Sequence, residues 1–150
     1  MIDKKLSSVL HLLLHMAESD RPLTSEELAG YLDTNAVVVR RTLAGLRALG
    51  YVSADKGHGG GWTLARGLHS LTLRDIYEAV GSPALFAIGH RSAQPACLVE
   101  QAVNASLDDT LAAAQALIDQ RLASITLADL AADFERRLAA HPRRKHRHAH

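Results

Sequence analysis

One cysteine, Cys97, is all the thiol that the 150 residues contain, so an intrachain disulfide is excluded and a Cys-rich zinc site cannot form. A lone thiol suits a reducing compartment. No run of about eighteen apolar residues occurs, which excludes a membrane-spanning helix on length. The start, Met1-Ile2-Asp3-Lys4-Lys5, lacks the basic-then-apolar order of a secretion signal, so the expectation is a cytoplasmic protein with no membrane partner. Charge of one sign is missing too, since the formal net charge is only +1. No nucleophile, base and orienting residue stand at a recognisable spacing, and the chain is not expected to be an enzyme. The run Gly57-His58-Gly59-Gly60-Gly61 is not a strand-to-helix turn followed by Lys-Ser or Lys-Thr, which excludes a nucleotide-binding loop.

What is present is unevenly distributed. Between Asn35 and Arg66 the basic residues Arg40, Arg41, Arg47, Lys56 and Arg66 stand against Asp55 alone. Between Cys97 and Glu135 the acids Glu100, Asp108, Asp109, Asp119, Asp129, Asp133 and Glu135 stand against Arg121 alone. A basic module joined to an acidic one offers one face to phosphate and keeps the other away. With 47% apolar residues, the chain can close one compact core and carry an accessory element, but not two independent domains.

Leu6, Val9, Leu10, Leu13, Leu14 and Ala17 recur at helical spacing before Asp20-Arg21-Pro22. Thr24 and Glu27 have the spacing of a capping box and open a second, short helix through Leu28, Ala29 and Leu32. After Asp33-Thr34-Asn35, a third helix shares Val39, Leu43, Leu46 and Leu49 on one face and stops at Gly50. Tyr51-Val52-Ser53-Ala54 and Trp62-Thr63-Leu64-Ala65 then flank the glycine-rich loop as a hairpin. A helix starts near Ser70 and ends near Gly81, and a looser stretch runs from Ser82 to Ala96. Leu107, Leu111, Ala114, Ile118, Leu122 and Ile125 form an apolar seam on a long helix read as capped by Ser106, a seam that needs a partner. A last helix, Thr126 to Ala140, carries Leu127, Leu130, Phe134 and Leu138. The expected fold class is mainly α with a small β-hairpin wing: a winged helix-turn-helix over 1–81, a linker and helical dimerisation region over 82–140, and a basic, His-rich disordered tail over 141–150.

Three helices and a hairpin are the order in which a third helix enters the major groove and the wing follows the backbone. Asn35, Val37, Val38 and Arg41 are expected to meet bases; Arg40 and Arg47 join them on the outer helix face, and Lys56 and Arg66 flank the wing toward phosphates. Thr24 and Ser25 at the second helix, with His58, Gly59 and Gly60 in the loop, complete the expected DNA-contacting set. Taken alone, Arg40, Arg41 and Arg47 would more often just solvate an outer helix face, and it is the surrounding order of elements that reverses this. Trp62 is read as packing the wing onto the core. A protein-interaction scaffold on the same fold is the competing function, because fold does not fix function.

The stretches Asn35-Ala36-Val37-Val38-Val39-Arg40-Arg41, Leu46-Arg47-Ala48-Leu49-Gly50-Tyr51-Val52 and Lys56-Gly57-His58-Gly59-Gly60-Gly61-Trp62-Thr63-Leu64-Ala65 together resemble the Rrf2 family. The likeness runs from about Lys4 to Ile125-Thr126-Leu127-Ala128-Asp129-Leu130. It implies a homodimeric winged helix, mostly a repressor, that binds imperfect palindromes in double-stranded DNA, with a long helix from each protomer crossing its partner. Cluster-binding members carry three cysteines where this chain has only Cys97, so it resembles the cluster-free subgroup, with no iron–sulfur cofactor and an effector left open. Cys97 follows Pro95-Ala96 at a helix start, where it is either a thiol sensor or a small buried hydrophobe. His11 and His15, one turn apart, have a metal-binding spacing, but no third ligand lies near in sequence and no metal is expected.

Overall fold

A computed structural model of the chain describes residues 2–141. Helix α1 (Lys5–Glu18) buries Val9, Leu12, Leu13 and Met16, the inward stripe of its helical pattern. Helix α2 (Ser25–Leu32) opens with the anticipated capping box: Thr24 Oγ1 accepts from the Glu27 N–H at 3.1 Å and the Glu27 carboxylate accepts from the Thr24 N–H at 2.8 Å. The Arg21 guanidinium grips the same carboxylate at 2.6 and 3.1 Å. Helix α3 (Ala36–Ala48) buries Val39, Leu43 and Leu46. It ends at Gly50, whose φ of 78° suits glycine, and the N–H groups of Gly50 and Tyr51 return to the carbonyls of Arg47 and Leu46. Leu49 departs from its expected place on the inner face. It is the C-cap residue, 53% exposed, because the chain reverses there.

Strands β1 (Val52–Asp55) and β2 (Gly61–Leu64) pair antiparallel, with Val52 opposite Leu64 and Asp55 opposite Gly61. Leu23 extends the hairpin, exchanging backbone hydrogen bonds of 3.1 and 2.8 Å with Trp62. The indole is buried, as expected of a wing anchor, and its Nε1 donates to Ser25 Oγ at 2.9 Å. The wing is thereby fastened to the start of α2.

A 3-10 turn (Leu68–Ser70) leads into α4 (Leu73–Ala79), which starts beside the last helix, α6 (Leu127–Ala140). Both open with threonine capping boxes, Thr72 with Asp75 and Thr126 with Asp129. The Leu73 N–H donates to the Ile125 carbonyl and the Leu127 N–H to the Leu71 carbonyl, each at 2.9 Å. Leu127 is fully buried with Val9 and Leu71. Helix α6 therefore packs on α1 and the 3-10 turn, although it follows the long helix in sequence.

That long helix, α5 (Leu98–Ser124), has 27 residues and so spans about 40 Å. It begins at Leu98 with Cys97 as N-cap, not at Ser106. Ser106 lies within the helix, its carbonyl accepting the Thr110 hydroxyl at 2.8 Å. Nothing between Leu98 and Ala105 breaks a helix, so α5 extends back almost to Pro95. Among the described residues the architecture is the expected one, helices with one two-stranded wing, and no helix is long and apolar enough to cross a membrane. Of the expected basic tail, residues 142–150, with His146, His148 and His150, lie outside the described residues.

Candidate nucleic-acid interface

Helices α2 and α3 are joined by a tight turn in which Asp33 adopts a left-handed conformation, φ 52°, and the Thr34 N–H returns to the Ala29 carbonyl. Asn35 then caps α3: its Oδ1 accepts from the Val38 N–H at 3.1 Å. Reading adenine with both ends of an amide needs that acceptor, so Asn35 chiefly starts the helix that presents its neighbours. Val37 and Val38 are 55% and 45% exposed on the first turn. Arg41 is exposed one turn further on. Arg40 also faces water and reaches Glu26 Oε1 at 3.4 Å, a loose pair between two exposed side chains. Arg47 is exposed too, but sits about 15 Å along the axis from Val37.

The wing tip presents Lys56, His58 and Gly59 to solvent. Gly60 has a different role from the expected backbone approach to DNA. Its N–H donates to the Gly57 carbonyl at 3.1 Å, and a Cβ there would overlap the Asp55 carbonyl, so the loop itself requires glycine. Gly61, at φ 151°, lies against the Leu23 backbone, where a Cβ would sit 2.7 Å from the carbonyl oxygen. Two other members of the expected set turn inward. Ser25 is buried with its hydroxyl held by Trp62, and Thr24 Oγ1 is the helix cap. Arg66 lies over the Tyr51 ring, 5.5 Å from its centroid, and donates to the Ser70 carbonyl at 3.3 Å. Arg41, Arg47 and Lys56 form no ion pair among the described residues.

The first turn of α3 and the wing tip are thus both exposed, and the sequence over residues 2–133 matches the Rrf2 family, described as an iron-dependent transcriptional regulator. The chain belongs to the Rrf2 family. It is a DNA-binding transcriptional regulator and not an enzyme. It is 30% identical over 131 residues to the HTH-type transcriptional regulator YwnA of Bacillus subtilis, an alignment covering 87% of this chain and 96% of that protein. A transcriptional regulator from Lactobacillus plantarum superposes with a TM-score of 0.74 at 25% identity, over 96% of this chain and 98% of the other. The global cysteine regulator CymR of Bacillus subtilis shares the fold, with a TM-score of 0.67 at 19% identity over 88% and 96%.

In this Rrf2 regulator the apolar seam of α5 does not stand free. Leu107, Leu111, Ala114, Ile118 and Leu122 are half-buried, and Ile125 is the half-buried C-cap. Leu107 and Leu111 line an open pocket of about 400 Å³ with Ile88, Gly89, His90 and Ala93 of the linker, where His90 lies 2.7 Å from Asp108. A second stripe, Val99, Val103 and Leu117, was not part of the sequence expectation. Val103 and Leu117 are 51% and 68% exposed, about a quarter turn round from the seam. Their spacing, four and then fourteen residues, was the signal for it. Of all α5 only Asn104 is buried. Cys97 is exposed, which removes the buried-hydrophobe reading, and the N–H groups of Glu100 and then Val99 hold its thiol below the usual range.

Proposed function

We propose that this regulator is a homodimeric, cytoplasmic repressor that binds a palindromic operator, with α3 in the major groove and the wing on the flanking backbone. The observation that carries the reading is the exposed first turn of α3, where Val37, Val38 and Arg41 face water, together with the exposed Lys56 of the wing tip. Val37, Val38 and Arg41 meet base edges; Arg40, Lys56, His58 and Arg66 meet phosphates, and Asn35, Thr24, Ser25 and Gly60 hold these groups in place. Repression follows from occlusion of the DNA that the dimer covers. An α5 with one buried residue across 27 is the surface on which a second copy packs. An iron–sulfur cluster does not fit the residues present: Cys97 is the sole thiol, and no group of three His, Cys, Asp or Glu side chains gathers among the described residues.

Selection of genomic fragments by the purified protein, at two salt concentrations and with Cys97 reduced or oxidised, tests the reading. One palindromic motif is the expected product, and its loss on oxidation alone would make Cys97 the sensor. Retention of random fragments that vanishes with salt would leave only electrostatic attraction and favour a protein-interaction scaffold. On the selected motif, Arg41→Ala relaxes base preference, whereas Lys56→Ala weakens all sequences alike and lowers the salt slope by about one. Unchanged affinity in both variants would remove these assignments.

A further inference from the structure

We propose that His11 and His15 form a two-nitrogen chelate for a late first-row divalent ion, with Cu²⁺ bound most tightly. The residues lie one turn apart on α1, the i, i+4 spacing that brings two imidazoles to one helix face. Their Nε2 atoms converge to 2.9 Å, with ring centroids 4.8 Å apart and planes tilted by 36°. Two metal–nitrogen bonds of about 2.05 Å span roughly 2.9 Å when they meet at a right angle and roughly 3.3 Å at the tetrahedral angle. The observed separation, that of a hydrogen bond between the two rings, already lies within a few tenths of an ångström of either span, and the usual affinity order places copper first.

The chelate is partly preorganised. The His15 ring stacks on Tyr31 of α2, with centroids 3.6 Å apart and planes within 8°, so one arm is oriented before an ion arrives. The other arm, His11, is exposed and gives the ion its entry. Among the described residues no third His, Cys, Asp or Glu completes a cluster with the pair, so the site proposed is the two-nitrogen one. Binding uses both Nε2 lone pairs. The proton that links the two rings moves to a ring Nδ1 through solvent, or to solvent outright when one ring starts protonated.

The test is calorimetric titration of the full-length chain with Cu²⁺ and Ni²⁺ just above neutral pH, against a reference carrying H146A, H148A and H150A to remove competing imidazoles. The reference is expected to bind one ion per chain, copper ahead of nickel, and to gain thermal stability with ion concentration. Adding H11A, or separately H15A, lowers the affinity by roughly tenfold or more, because the second nitrogen no longer acts at high effective concentration. Paramagnetic Cu²⁺ should broaden the amide signals of Leu10, Leu14 and Tyr31 first. Because His11 is exposed, H11A leaves the metal-free melting midpoint unchanged, which separates lost chelation from lost folding. A reference that binds no ion, or an H11A chain with undiminished affinity, overturns the proposal.

Discussion

In the proposed complex, Val37 and Val38 would set which base edges the first turn of α3 can favour. An exposed valine offers no hydrogen bond, but its methyls can cover the C5-methyl of thymine, the apolar mark of the major groove. Replacing the contacted thymines of the selected operator by deoxyuridine removes those methyls alone. Each should cost about 0.8 kcal/mol, roughly fourfold in Kd, and nothing further in a V37A/V38A chain. An equal cost in parent and double variant would place the effect in DNA shape. Glu27 carries a second prediction. The hydrogen bond from Arg21, then that from the Thr24 N–H, lowers its pKa from 4.5 to about 2. A carboxylate depressed on folding adds stability that is complete above pH 4.5 and is lost as pH falls through about 2. E27Q should therefore melt with a shallower acid dependence in that window, while the cap geometry is kept by the amide. A parent and variant with parallel profiles would show that the pair contributes nothing. The Thr24 box could be read from four adjacent residues, whereas the inward turn of Ser25 could not, because its partner Trp62 lies 37 positions away.

Helix starts were legible where a threonine met an acid at the third following position, as at Thr24 and Thr126, and misleading where the same chemistry recurred inside a longer helix. Ser106 with Asp108 and Asp109 imitates a cap, yet the eight residues before it propagate helix, and local sequence cannot tell which cap is used. Packing of α6 on α1 was equally hidden, since the bridge between Thr72 and Thr126 joins residues far apart in sequence. The same distinction divides the two faces of α5. Leu111 lines the pocket under the linker, whereas Leu117 is 68% exposed and touches no core. In the proposed dimer, L117D should yield a monomer in sedimentation with its melting midpoint and helix content retained. L111D should disturb the linker as well and lower the midpoint. An L117D chain that stays dimeric would assign the interface to the seam of Leu107, Leu111, Ala114, Ile118, Leu122 and Ile125.

At the scale of the whole molecule, the proposed dimer would divide the labour of binding between the basic wing module and the acidic long helix. The first would supply phosphate contacts whose number sets the salt dependence, and the second would hold two such modules together. Each module alone binds weakly, but linked half-sites engage at high effective concentration, which multiplies affinity by about 10² to 10⁴ when the geometry permits both. That geometry can be tested on the DNA without touching the protein. Major grooves on one face of the duplex recur every 10 to 10.5 base pairs, about 34 Å. Inserting about five base pairs between the half-sites turns one of them to the opposite face, and about ten restores the face but lengthens the separation by a full turn. If α5 fixes the two wings rigidly, the shorter insertion should reduce affinity to that of a single half-site, and the longer one should recover little of it. Recovery at ten would mean that the link between the modules, including the linker at 82–97, yields by a helical turn. Indifference to both insertions would mean that each protomer binds alone, and the dimer would then have no part in operator recognition.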